Sequence, residues 1–166
     1  SVHPGGDRSF PIVYTPMHGV GGKIARRAFD DAGFTNVAFV REQEEPDGRF
    51  PTVAFPNPEE KGAMDLSFAL AKKNGAALVL ANDPDADRLA VAIPHAASPT
   101  GYLQLTGNQV GVLLGHYFLT QEKDQGSNRV VIASLVSSPL LGVIAKGLGV
   151  AYEETLTGFK WIANRA

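Results

Sequence analysis

Short apolar runs alternate along this chain with longer amphipathic stretches, and glycines mark many of the joints. Phe10 to Tyr14 is an apolar run and predicts a buried strand. Ile24, Ala25, Ala28, Phe29 and Ala32 then recur at helical spacing, and Gly33 stands where that helix should stop. Val37 to Val40 predicts a second strand. Arg41 to Pro58 is polar and proline-rich and predicts a loop. Asn57, Pro58 and Glu60 look like a helix start: a cap, a first-turn proline and an acid three residues after the cap. Ala63, Leu66, Ser67 and Leu70 would form the face of that helix, and Gly75 would end it. Ala77 to Ala81 and Leu89 to Ile93 read as strands, with a hairpin turn over Pro94 to Gly101 returning through Tyr102 to Leu105.

The alternation restarts near Thr106. Thr106 and Gln109 fit a capping box, and Val110, Leu113, Leu114, Tyr117 and Phe118 form an apolar stripe. Gln121 to Asn128 is a polar connection. Val130 to Ala133 is a strand, Ser138-Pro139 opens a helix bearing Leu141, Ile144, Ala145 and Leu148, and Gly149 closes it before a strand over Val150 to Glu153. Helices alternating with β-rich runs predict an α/β fold: two consecutive small units, residues 1–105 and 106–166, with mostly parallel sheets flanked by helices.

Composition excludes more than it adds. Hydrophobic residues make up 44% of the 166, enough for a core and too many for a disordered chain. The net charge is −2 with the two signs mixed, so no nucleic-acid partner is expected. The absence of cysteine excludes disulfides and thiolate metal sites and fits a cytoplasmic protein. No apolar run approaches the roughly 20 residues of a membrane span, so no membrane partner is expected. The start at Ser1-Val2-His3-Pro4-Gly5-Gly6, with no methionine or signal-peptide pattern, and the stop at Asn164-Arg165-Ala166 suggest a piece of a longer chain.

Asp83-Pro84-Asp85-Ala86-Asp87-Arg88 is the stretch richest in chemistry. Alternate side chains of an extended segment point the same way, so carboxylates two apart can converge on one hard cation. Oxygen ligands favour Mg2+, Mn2+ or Ca2+ over zinc. Without a cation the three charges repel one another. The loop also follows a buried strand, at the carboxyl end where α/β folds hold ligands. The same residues suit a solvated acidic turn, since Asp and Pro are common turn residues. An EF-hand loop is excluded: it needs Gly and Glu where this chain has Arg88 and Pro94. A haloacid-dehalogenase-type phosphatase resembles the loop more closely, through its strand followed by Asp-x-Asp, and would make Asp83 the nucleophile. Its usual Thr or Val at the fifth position is Asp87 here. Arg88 can pair with a carboxylate or a phosphate, or simply balance charge.

Asn82-Asp83-Pro84-Asp85-Ala86-Asp87-Arg88 resembles the metal-binding loop of the α-D-phosphohexomutases, which include phosphoglucomutases and phosphomannomutases. Thr15-Pro16-Met17-His18-Gly19-Val20-Gly21 and Thr157-Gly158-Phe159-Lys160-Trp161-Ile162 resemble segments of the branch closest to the phosphopentomutase-type enzymes. The resemblance runs from about residue 8 to the end and covers the second and most of the third of that family's four domains. It implies that Asp83, Asp85 and Asp87 bind Mg2+, that Arg88 serves catalysis by positioning the phosphate or the loop, and that Gly158, Phe159 and Lys160 contact the sugar. It implies as partners a glucose, mannose or pentose phosphate and a sugar bisphosphate intermediate. The family's phosphoryl-carrying serine sits in a Ser-His-Asn-Pro type loop of the first domain. No such loop occurs in this sequence, so the chain by itself is expected to be inactive.

Read without the family, Phe159 and Trp161 are core residues at a helix start and Lys160 is solvated. Ser137 and Ser138 read as cap residues. Gly19, Gly21 and Gly22 suit close helix–sheet packing, while the amides around His18 could alternatively hold a phosphate. The segment Phe55 to Glu60 is similar to a family segment, but its role reads as capping. His3, His95 and His116 read as surface or packing residues. A non-catalytic module holding Mg2+ or a sugar phosphate is the remaining alternative.

Overall fold

The computed structural model describes residues 5–121 and 129–165; His3 and the predicted connection beyond Gln121 lie outside the described residues. The chain divides into two units at Leu105–Thr106.

The first unit runs β1 (Ile12–Thr15), α1 (Gly22–Asp31), β2 (Val37–Phe39), α2 (Arg41–Glu44), α3 (Asp65–Asn74), β3 (Leu78–Asn82), β4 (Leu89–Pro94) and β5 (Tyr102–Gln104). These strands form one sheet in the order β2-β1-β3-β4-β5. β1 lies parallel to both β2 and β3, and β4 and β5 then add antiparallel. Every residue of β1 is buried, as expected of a strand covered on both faces. One side of the sheet carries Val13, Val79, Ala81, Ala90 and Ala92 into a core with Met17, Met64, Ala71 and Tyr102. The Tyr102 ring stacks on Phe68 at 5.8 Å, and its hydroxyl donates to the Ala76 carbonyl at 2.8 Å. Tyr14, Phe29, Phe34 and Phe39 make an edge-to-face aromatic cluster that fastens α1 to β1 and β2.

Register places the loops of interest. Asn82 pairs with Leu89, so Asp83–Arg88 is the β3–β4 connection. Thr15 pairs in parallel with Ala81, so the glycine turn after β1 leaves from the same end of the sheet as the acidic loop.

The second unit runs α4 (Gly107–Gln121), β6 (Val130–Ser134), α5 (Leu140–Gly147), β7 (Ala151–Thr155) and α6 (Phe159–Ala163), with β6 parallel to β7. Its buried core is small: Leu119, Ala145 and Val150, with Val131, Ile144 and Tyr152 packed against them. Among the described residues no helix is long and apolar enough to cross a membrane.

Several expected elements are corrected. The helix start expected at Asn57 is a turn: Asn57 Oδ1 accepts the Glu59 amide at 3.1 Å, the chain passes through Gly62 at φ +85°, and the helix begins only at Asp65. Gly62 in the left-handed region interrupts what proline and capping chemistry suggested. The expected loop after Val40 opens instead with the single-turn helix α2, held by a buried glutamine, Gln43, that an apolar pattern does not reveal. The expected face of α1 is only half used, since Ile24 and Ala28 are exposed while Ala25 and Phe29 pack. The stripe on α4 is offset: Leu113, Leu114 and Phe118 are exposed and Leu119 is buried. The packed side of α4 is made partly by a missing side chain, for a Cβ on Gly115 would stand 2.5 Å from Leu141.

The capping box forms as the spacing suggests. The Thr106 amide donates to Gln109 Oε1 at 2.8 Å, and the Gln109 amide donates back to Thr106 Oγ1 at 3.3 Å. Thr106→Ala is therefore expected to destabilise the second unit by about 1 kcal/mol. The check is the urea midpoint followed by fluorescence of Trp161, the single tryptophan.

Candidate metal centre

Asp83 directly follows β3 and is only 1% exposed, whereas Asp85 and Asp87 are exposed. A buried carboxylate needs partners, and Arg88 supplies them. The Arg88 backbone amide donates to Asp83 Oδ1 at 3.0 Å, and its guanidinium Nε donates to Oδ2 at 2.6 Å. Burial pushes the Asp83 carboxyl up. The hydrogen bonds from the Arg88 amide and guanidinium, with its charge, outweigh that and hold the group below the usual carboxylate range. The same guanidinium lies 3.6 Å from Asp87 Oδ1. The charge of Asp85, then burial and the charge of Asp83, push Asp87 up, the sign of carboxylates crowded together.

Ligand oxygens of Asp83, Asp85 and Asp87 lie within 4.8 Å of one another. An all-oxygen, triply acidic set at the open end of a sheet suits a hard divalent cation.

The loop is shaped by its neighbours. Asn82 Nδ2 donates to the Arg88 carbonyl at 2.7 Å, which ties the two ends of the loop together, and Tyr14 donates to Asn82 Oδ1 at 2.9 Å. The Ala86 amide donates to the Asp83 carbonyl at 3.0 Å, with Ala86 itself at φ +62°. From the turn after β1, the Val20 amide donates to the Pro84 carbonyl at 2.9 Å. A Cβ on Gly19 would sit 2.7 Å from the Pro84 carbonyl carbon and closer still to its Cα and oxygen, so only glycine fits there. A Cβ on Gly21 would meet the Ala86 methyl at 3.0 Å, a tight contact with a side chain rather than backbone. Two of these glycines thus serve the acidic loop rather than helix–sheet packing alone. Gly22 packs against Glu44 and Pro16.

The alternative of a phosphate held by the amides around His18 is not supported. The His18, Gly19 and Val20 amides already donate to Gln43, Pro16 and Pro84 carbonyls. Sequence reasoning missed Tyr14, Asn82 and Gln43; Asn82 was visible only as the residue before the first aspartate.

In the second unit, Gly158, Phe159 and Lys160 lie together at the carboxyl end of β7. Phe159 is 82% exposed and Trp161 is exposed, so neither is a core residue. Lys160 Nζ lies 5.1 Å from the Trp161 ring centroid. Gly158 adopts φ +125°, a conformation that side-chain-bearing residues rarely take. Ser137 and Ser138 are not the caps they were expected to be: Pro139 holds the N-cap position of α5 with no side-chain cap bond, Ser138 Oγ accepts the Leu140 amide at 3.3 Å, and the Ser137 hydroxyl pairs with that of Ser134. His95 and His116 are exposed.

Comparison with known proteins identifies the family. Residues 2–96 match the family described as phosphoglucomutase/phosphomannomutase, alpha/beta/alpha domain II, and residues 106–166 match domain III of the same family. The chain is 51% identical over 152 residues to the "Probable phosphomannomutase" of Haemophilus influenzae, covering 92% of this chain and 30% of that protein. It is 47% identical over 162 residues to the phosphopentomutase of Homo sapiens, covering 93% of this chain and 26% of that one. A phosphoglucomutase/phosphomannomutase family protein from Burkholderia thailandensis shares the fold, with a TM-score of 0.76 at 21% identity over 95% of this chain and 31% of its own. The chain spans less than a third of the length of each of these proteins. It belongs to the phosphoglucomutase/phosphomannomutase family.

Two outcomes test the local geometry. Gly19→Ala is expected to destabilise the first unit by about 1–3 kcal/mol, because backbone rather than a side-chain tip must move. An unchanged urea midpoint would mean that the turn and loop do not touch. Burial pushes the Tyr14 hydroxyl up to about 12 from 10.0. The unfolded chain then loses this proton first, so the stability contributed is complete below pH 10 and is lost as pH rises through about 12. Tyr14→Phe should flatten that part of the stability–pH curve.

Proposed function

We propose that this chain is the ion-holding and sugar-reading part of a phosphosugar mutase, an enzyme that moves a phosphoryl group between position 1 and position 6 (or 5) of a hexose (or pentose) phosphate. The observation that carries it is the convergence of Asp83, Asp85 and Asp87 at a sheet end, with the buried member locked by Arg88. Asp83, Asp85 and Asp87 would hold Mg2+. When bound, the ion supplies Lewis-acid stabilisation of charge on a transferring phosphoryl group.

The chain's own residues have separate tasks in this reading. Arg88 orients Asp83 through Nε and its backbone amide, leaving guanidinium donors to meet a phosphate oxygen. The exposed Asp85 and Asp87 complete the ligand set. Gly158, Phe159 and Lys160 read the sugar: the lysine toward hydroxyl or phosphate oxygens, the exposed ring toward the apolar face. The phosphoserine would come from outside these 166 residues, and a sugar bisphosphate would be the intermediate. Glucose, mannose and pentose phosphates are the substrate class; names such as phosphomannomutase and phosphopentomutase among the relatives support it.

The phosphatase alternative needs Asp83 free to attack a phosphorus atom. The two hydrogen bonds and the charge of Arg88 stabilise the Asp83 carboxylate and weaken it as a nucleophile, while each oxygen keeps a lone pair for an ion.

Mg2+ binding to the chain, followed by calorimetry, provides the test. Asp85→Asn is expected to weaken binding about tenfold or more, and the chain is expected to release no phosphate from sugar 1-phosphates in the presence of Mg2+. Equal affinity of the variant would remove the ion site. Phosphate release abolished by Asp83→Asn would install the phosphatase reading instead.

A further inference from the structure

Behind the glycine turn lies a polar network that the proposed reaction does not use. Met17 and His18 are consecutive non-glycine residues at φ +53° and φ +61°. Residues with side chains are disfavoured in the left-handed region, and such strain persists only where the surroundings over-determine it. Here they do. Met17 is wholly buried and His18 is 5% exposed. The Met17 amide donates to Thr15 Oγ1 at 3.0 Å, the His18 amide donates to the Gln43 carbonyl at 2.8 Å, and the Asp47 amide donates to the His18 carbonyl at 3.0 Å.

The side chains close the circuit. Thr15 Oγ1 donates to Gln43 Oε1 at 2.7 Å, and Gln43 Nε2 donates to Thr52 Oγ1 at 3.0 Å. Thr52 Oγ1 and His18 Nε2 are 2.9 Å apart. Gln43 is fully buried, so its amide depends on these partners. The product of the strain is a backbone direction: it brings Gly19 flat against Pro84 and aims the Val20 amide at the Pro84 carbonyl. Pro84 sits between Asp83 and Asp85.

We propose that His18, with Gln43 and Thr52, is a positioning element that fixes the spacing of Asp83 and Asp85 through Gly19 and Pro84, and so tunes the site for a small divalent cation. The proposal rests on the reading of these aspartates as an ion site. Mg2+ demands near-octahedral geometry at about 2.1 Å, whereas Ca2+ accepts longer and looser shells. Relaxing the turn therefore degrades Mg2+ binding more than Ca2+ binding. A residue that contributed only to stability would not change that ratio.

The experiment uses the 166-residue chain, with bound Mn2+ read by electron paramagnetic resonance and Mg2+ and Ca2+ as competitors. His18→Asn removes the imidazole while keeping a residue that tolerates the left-handed region. Thr52→Val removes the hydroxyl and with it one partner of the buried Gln43 amide, so its urea midpoint is measured alongside to establish that it is folded; Thr52→Ser restores the hydroxyl. His18→Asn and Thr52→Val are expected to weaken Mg2+ about tenfold and Ca2+ by less than about twofold, with Thr52→Ser close to the unaltered chain. Unchanged Mg2+ competition in both variants, with Asp85→Asn still defective, overturns the positioning role and leaves the ion site standing. Equal losses for the two ions overturn it as well, because they report general loosening. If Asp85→Asn itself binds like the unaltered chain, the ion site fails and this proposal fails with it.

Discussion

The buried carboxylate of Asp83 is the constraint around which the candidate site is organised. A carboxylate that reaches the edge of a core loses water it cannot do without, and the charge must find donors in the protein. Arg88 answers from the far end of the same loop, with one bond from its amide and one from its guanidinium. That requirement bends the β3–β4 connection back on itself. Asn82 reinforces the closure by holding the Arg88 carbonyl, and Tyr14 holds Asn82. The chain between the clamped ends then has few options, and Ala86 is driven into the left-handed region. Asp85 and Asp87 are left on the solvent side of a closed ring.

The sheet supplies the second half of the arrangement. Because β1 runs parallel to β3 in register, its outgoing turn must pass the acidic loop. Two backbones can approach that closely only where one lacks side chains, which is why Gly19 faces Pro84, while Gly21 leaves room for the Ala86 methyl. The strain at Met17 and His18 belongs to the same account. It is tolerated because Thr15, Gln43 and Thr52 satisfy the polar atoms around it, so a local cost is offset by a network reaching into α2.

Features that depend on period or on local chemistry were legible in the sequence. The apolar runs that become β1 and β3 are continuous along the sequence, and Asp83-Pro84-Asp85-Ala86-Asp87-Arg88 declares its charge pattern without any fold. The Thr106–Gln109 capping box is a local device and was readable as such. What escaped was the work of residues whose partners are distant. Gln43 anchors α2 by hydrogen bonds to Thr15 and Thr52, and nothing in its neighbourhood along the chain says so. Gly115 packs by having no side chain, so a stripe drawn through Leu113, Leu114 and Phe118 points at the wrong face. At Asn57 and Pro58 the local signals for a helix were all present, and Gly62 overrode them. In the second unit, the apolar character of Phe159 and Trp161 reads as core at a helix start, and the structure leaves both exposed.

That exposure and the crowding in the acidic loop share one physical logic. An aromatic ring left in water and three carboxylates held within one small volume are both unfavourable on their own terms. A plain acidic turn would spread its charges, and here the closure by Arg88 and Asn82 prevents that spreading. Arg88 neutralises Asp83 well and Asp87 only partly, as the upward push on the Asp87 carboxyl by Asp85 makes plain. The loop therefore retains a local excess of negative charge that its own arginine does not cancel. A hard cation at that point would relieve the repulsion with oxygens already gathered, which is why the geometry favours an ion site over a merely solvated turn.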